Sequence, residues 1–148
     1  MHCGPDALGS NRVTELRDTP GERRIEVLLV DDNALFAESL RAFVDDHPKL
    51  CVTGIAANGL EAIELVEQLA PAAVVIDLHM PLLDGVTAVA RMRNDHPALC
   101  LIVMTADGRR ELHEAVSEAG ADAVLMKNDL QGRLREEITT AHAERVAV

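Results

Sequence analysis

Short apolar runs alternate along the chain with segments whose apolar side chains recur at every third or fourth position. The clearest run, Ala73-Val74-Val75-Ile76, carries no polar side chain, includes three β-branched residues and stops at Asp77. An uninterrupted apolar run of this length fits a strand covered on both faces, as in a parallel sheet. Similar runs occupy residues 25–30, 51–56, 99–104 and 121–126. Between them, Leu35, Phe36, Leu40, Phe43 and Val44 fall on one face of a first helix, closed at His47-Pro48 because the residue before proline disfavours the α region. Leu60, Ile63, Val66 and Leu69 mark a second helix after the Asn58-Gly59 turn. Val86, Val89, Ala90 and Met92 mark a third, after a loop with Pro81 and Asp84-Gly85. Leu112, Ala115, Val116 and Ala119 define a fourth, stopped by Gly120. A last helix runs from about residue 129 to 143, with Leu130, Leu134, Ile138 and Ala141 inward and Asp129 as its N-cap. Strand and helix alternating five times predict an α/β fold: a doubly wound five-stranded parallel sheet with five helices. Residues 1–22 show neither period and read as a flexible N-terminal extension, leaving residues 23–145 as one domain.

Composition narrows the function. A chain of 148 residues with 48% hydrophobic positions suits a single core. The formal net charge of -11 argues against direct nucleic-acid binding, which draws its affinity from clustered Lys and Arg. Phe36 and Phe43 are the only aromatics, so side chains for stacking on bases or sugars are nearly absent. Cys3, Cys51 and Cys100 are odd in number and widely spaced, which indicates neither a disulfide framework nor a zinc site. No run has the length of a membrane span, and the first residues lack the apolar centre of a signal peptide, so a cytoplasmic location is expected.

A parallel sheet brings all its carboxyl ends to one edge, where open α/β sheets bind their ligands. Here that edge gathers Asp31 and Asp32, Asp77, Thr105 and Lys127. An Asp after a strand is commonly a turn former, and the set is far more specific than any member. Three carboxylates about 5 Å apart repel by roughly 3 kcal/mol per pair at an effective dielectric of 20, so a cation is needed. With oxygen donors only, Mg2+ or Mn2+ fits better than zinc. Lys127 is one of two lysines in a chain with twelve arginines, and a compact ammonium suits a single oxygen met as a point charge. A small dianion such as a phosphoryl group completes the arrangement.

This set resembles the receiver domain of two-component response regulators, the CheY-like family. Asp31-Asp32, Asp77 followed by Met80-Pro81 and Asp84-Gly85, Thr105-Ala106, Gly120-Ala121 and Lys127 fall in that family's order and spacing, over residues 25 to about 143. The resemblance implies that Asp77 is the phosphoacceptor, and that Asp32, Asp77 and the His79 main-chain carbonyl hold Mg2+ while Asp31 acts on it through water. It further implies that Thr105 bonds the phosphoryl group and Lys127 pairs with another of its oxygens. His79 and Asp107 would flank the path of hydrolytic water. The implied partners are a sensor histidine kinase or phosphotransfer protein, and a downstream protein or second copy at the face of the fourth helix, fifth strand and fifth helix. Two positions depart from the family. Val124 stands where an aromatic switch is usual, and Asn128 replaces the proline after the lysine, so that bond is expected to be trans.

Three readings follow. The first is a stand-alone phosphoacceptor that signals through protein contacts and catalyses only its own phosphorylation and dephosphorylation. The second is the receiver half of a transcriptional regulator whose DNA-binding domain, roughly 60 further residues, is absent from this chain. The third, a phosphatase or nucleotide-binding enzyme on the same fold, lacks a glycine-rich phosphate loop after the first strand.

Overall fold

The computed structural model describes residues 23–146, and the expected N-terminal extension lies outside the described residues. In chain order the elements are β1 (Ile25–Val30), α1 (Ala34–Asp45), β2 (Leu50–Ala56), α2 (Gly59–Leu69), β3 (Ala73–Asp77), α3 (Gly85–Asp95), β4 (Cys100–Thr105), α4 (Arg110–Ala119), β5 (Ala123–Met126) and α5 (Leu130–Val146). The strands form one sheet in the order β2-β1-β3-β4-β5, and every neighbouring pair is parallel. This is the doubly wound architecture that the apolar runs predict.

Strand pleating sorts the core into two layers. Val27, Leu29, Val75, Ile102, Met104 and Leu125 face α1 and α5, while their neighbours Leu28, Val30, Val74, Ile76, Leu101 and Val103 face α2, α3 and α4. The central strands β3 and β4 are buried at every position, which explains why they read as continuous apolar runs. Fully burying one such aliphatic side chain stabilises the fold by roughly 1.5–3 kcal/mol.

Side-chain caps start the first three helices that leave the functional edge, whereas α4 has none. Asn33 accepts from Phe36 N–H, Asn58 from Glu61 N–H and Asp84 from Thr87 N–H, each at 2.9–3.0 Å. At the opposite edge the carboxylate of Asp122 accepts from Arg93, Arg145 and the Leu101 N–H, joining α3, α5 and β4.

Several boundaries differ from the sequence pattern. Strand β5 starts at Ala123, two residues late, because Ala121 N–H turns back to Val116 O at 3.1 Å and closes α4. Asp129 is not an N-cap: it lies in a 3-10 turn, Lys127–Asp129, that runs directly into α5 because Leu130 already has helical dihedrals. Among the described residues no peptide bond is cis, as Asn128 led us to expect. Cys51 is fully buried in β2. Cys100 is free and buried, its thiol pushed up to about 12 by desolvation.

The loop after β3 is pinned at both ends. Gly85 N–H donates to Leu78 O at 3.0 Å, and a Cβ on Gly85 would meet Leu78 Cα at 2.7 Å and Leu78 O at 2.8 Å. The span between these ends places Leu82 at φ 72°, a left-handed conformation that costs an L-residue roughly 1–2 kcal/mol. Gly85→Ala is therefore expected to destabilise the protein by about 1–3 kcal/mol, because the obstructing atoms are backbone. Denaturant unfolding checks this, and an unchanged midpoint would contradict the close approach.

Candidate functional site

Strands β1 and β3 are neighbours at the middle of the sheet, so the residues that follow them meet above its carboxyl edge. Carboxylate oxygens of Asp31, Asp32 and Asp77 lie within 4.8 Å of one another. Asp31 and Asp77 are buried and Asp32 is exposed. Each buried acid has one oxygen fixed by backbone: Asp31 Oδ1 accepts from Asn33 N–H at 2.8 Å, and Asp77 Oδ1 from His79 N–H at 3.4 Å. Their other oxygens share one cation. Lys127 Nζ, arriving from the end of β5, lies 3.1 Å from Asp31 Oδ2 and 3.3 Å from Asp77 Oδ2. The Asp32 carboxylate has no hydrogen bond or ion pair among the described residues.

Three acids and one ammonium leave the cluster under-compensated. Burial raises the pKa of Asp77, and the charge of Asp31 adds to this, while Lys127 and the His79 N–H oppose it. For Lys127, burial works against the charge, but hydrogen bonding to Asp31 and attraction to both acids outweigh it, so its pKa is raised. The two shifts agree in meaning: the ammonium is firmly charged, yet it does not fully repay the desolvation of Asp77.

Thr105, at the end of β4, is fully buried, and its hydroxyl oxygen accepts from Asp107 N–H at 3.0 Å. Beyond it, the Asp107 carboxylate is clasped by Arg109 through the backbone N–H at 3.0 Å and the guanidinium at 2.7–3.1 Å. Hydrogen bonds from the Arg109 side chain hold Asp107 well below the usual carboxylate range, at about 2. His113 Nε2 is 2.7 Å from Asp107 O, which requires that nitrogen to carry a proton. His79 Nε2 stands 4.0 Å from Asp107 Oδ2 across the mouth of the site, with a largely exposed ring. The fold thus brings Asp31, Asp32, Asp77 and Lys127 together, with the His79 backbone bound to Asp77 and its exposed ring turned toward Asp107. Sequence patterns missed Arg109, whose signal was only its place two residues after a loop acid. They also treated Phe36 purely as a core residue, although its ring centroid lies 4.4 Å from Lys127 Nζ.

The family model for the response regulator receiver domain matches residues 27–139, nearly all of the described fold. The chain belongs to this family. Among characterised relatives, the receiver is 35% identical over 127 residues to a protein-glutamate methylesterase/protein-glutamine glutaminase of Alkalilimnicola ehrlichii, covering 83% of this chain and 32% of the relative. It is 41% identical over 105 residues to the corresponding protein 1 of Saccharophagus degradans, covering 70% of this chain and 28% of the relative. It therefore spans about a third of the length of these relatives. The response regulator domain of Thermotoga maritima CheB superposes with a TM-score of 0.77 at 27% identity, covering 82% of this chain and 98% of that one. The receiver domain of NarL from Mycobacterium tuberculosis, at 21% identity and a TM-score of 0.78 over 82% of this chain and 98% of that one, shares the fold.

The raised pKa of Asp77 fixes the sign of a stability test. A folded carboxyl that keeps its proton more tightly than the unfolded one is penalised once ionised; the penalty is complete above the folded pKa and absent below the ordinary value of 3.8. Asp77→Asn is thus expected to raise unfolding free energy at pH 7, with the gain fading as pH falls toward 3.8. Denaturant midpoints across pH measure this, and a gain that grows on acidification would contradict the burial argument.

Proposed function

We propose that this receiver accepts a phosphoryl group on Asp77, in the cytoplasm, from a sensor histidine kinase or phosphotransfer protein. The observation that carries the reading is the single ammonium of Lys127 shared by two buried acids beside an unpaired third one. An all-oxygen donor set with excess negative charge fits Mg2+, and Mn2+ by the same chemistry. Asp32, Asp77 and the His79 main-chain carbonyl would hold the ion, with Asp31 acting through water. When bound, the ion supplies charge compensation for the phosphoryl oxygens.

Asp77 supplies the attacking oxygen: a bond forms from its carboxylate to phosphorus as the bond from phosphorus to the donor's leaving nitrogen or oxygen breaks. Lys127 releases Asp77 Oδ2 and pairs with a phosphoryl oxygen. Thr105 accepts from Asp107 N–H, so its own hydroxyl proton remains for donation to another phosphoryl oxygen. Water later attacks phosphorus, breaking its bond to the Asp77 oxygen, which releases inorganic phosphate and restores the carboxylate. These steps make the domain a catalyst of its own phosphorylation and dephosphorylation, with output through a downstream protein or a second copy at the face of α4, β5 and α5. The relatives' greater length favours a reading in which this domain regulates a longer protein, and the natural reading frame tests it.

Acetyl phosphate with Mg2+ should yield one phosphoryl adduct by mass spectrometry, absent in Asp77→Asn and without the ion. Persistence of the adduct in that variant would sink the assignment. Lys127→Arg retains charge but replaces a point donor by a longer planar one, and should slow adduct formation about tenfold, the scale of one charge-assisted hydrogen bond.

A further inference from the structure

The only two aromatic residues, Phe36 and Phe43, lie seven positions apart on α1, and each ring faces a cation. Arg135 stacks on Phe43 with its guanidinium carbon 3.9 Å from the ring centroid and also donates to Phe43 O, a contact that ties α5 to α1. Phe36 differs because its cation is Lys127, which also touches Asp31 and Asp77. The ring is anchored where the acids are anchored. Asn33 accepts from Phe36 N–H through its side chain and donates its own N–H to Asp31 Oδ1, so one residue sets both the start of α1 and the Asp31 carboxylate. Asp77 shares the pleat of Val75, on the α1 and α5 side of the sheet, which is the side Phe36 occupies.

Lys127 has three neighbours of different permanence. A divalent cation held by Asp32 and Asp77, with Asp31 reached through water, would compete with the ammonium for the carboxylates that now hold it. Transfer to Asp77 then places a phosphoryl group on one of them. The face of a benzene ring attracts an ammonium through its quadrupole but offers Mg2+ no oxygen donor, so the Phe36 contact survives both events. Without it, the flexible four-carbon stem would be free to leave for solvent, since a quarter of the Lys127 side chain is already exposed.

We propose that Phe36 is a positioning residue for phosphoryl acceptance: its ring keeps the Lys127 ammonium at the acid cluster while the carboxylate partners change. The role rests on the function proposed above. A cation–π contact of this exposure corresponds to about a two- to fivefold change in rate.

The test uses the full chain with Phe36→Leu, which removes the ring but keeps apolar bulk, and Phe36→Tyr, which keeps the ring. Because Lys49 is the only other lysine, lysine-selective labelling makes the Lys127 ε-methylene signals readily assignable by NMR. In the wild type they should lie upfield of those of Lys49 through the ring current, with and without Mg2+. Phe36→Leu should abolish the displacement and slow acetyl phosphate-driven phosphorylation about two- to fivefold, and Phe36→Tyr should retain both. Undisplaced Lys127 signals in the wild type would overturn the proposal. So would an unchanged rate in Phe36→Leu, or equal slowing in both variants, which would mark a packing role. A wild type that takes no phosphoryl group at all would instead remove the function proposed above, and this role with it.

Discussion

Mutual repulsion among Asp31, Asp32 and Asp77, only partly met by Lys127, is the constraint on which the rest of the site depends. At an effective dielectric of 20, charges this close interact by roughly 3–4 kcal/mol per pair. The opposite edge of the sheet shows how the same chain treats a charge with a structural task. There a single carboxylate, Asp122, is met by two guanidiniums, Arg93 and Arg145, and by a backbone N–H. At the functional edge the ratio is inverted, with three carboxylates to one ammonium. Under the function proposed above, a cluster left short of positive charge would take up a further cation, and that charge beside Asp77 would ease the approach of a phosphoryl dianion.

The fold sustains this unfavourable arrangement by making it rigid. Asp77 ends a strand buried on both faces, and its neighbour β1 delivers Asp31 with equal precision. Leu78 N–H continues the ladder to Met104 O, and Gly85 returns to Leu78 O, so the loop carrying His79 has little freedom at either end. Lys127 is positioned by the 3-10 turn that joins β5 to α5, with Phe36 on its other side. The chain has thus placed its repulsive groups at the ends of its buried strands, and the burial of β1, β3 and β4 offsets their cost.

Much of this was legible from the sequence. Apolar runs ending in Asp, Thr or Lys marked the strands and the edge where chemistry collects, because parallel strands bury both faces and so lose the alternation that obscures other sheets. The helical stripes placed the helices that flank them, but Leu35 and Leu60, read onto inner faces, are exposed in the first turns of α1 and α2, while Ala37 and Ala62 are buried instead. What escaped had non-local causes. The late start of β5 depends on a hydrogen bond from Ala121 back to α4, and the 3-10 turn at Lys127 depends on how α5 docks. Arg109 and Phe36 were visible as residues, but their contacts with Asp107 and Lys127 exist only once loop and helix are placed.

A crystal structure grown with Mg2+ and beryllofluoride, a phosphoryl mimic, tests the central claim most directly. The account predicts beryllofluoride on an Asp77 oxygen, the ion shared by Asp32 and Asp77, and Lys127 Nζ moved from Asp77 to a fluorine while still facing Phe36. An ion bound away from the three acids, with Lys127 still bridging Asp31 and Asp77 and no adduct on Asp77, would contradict it.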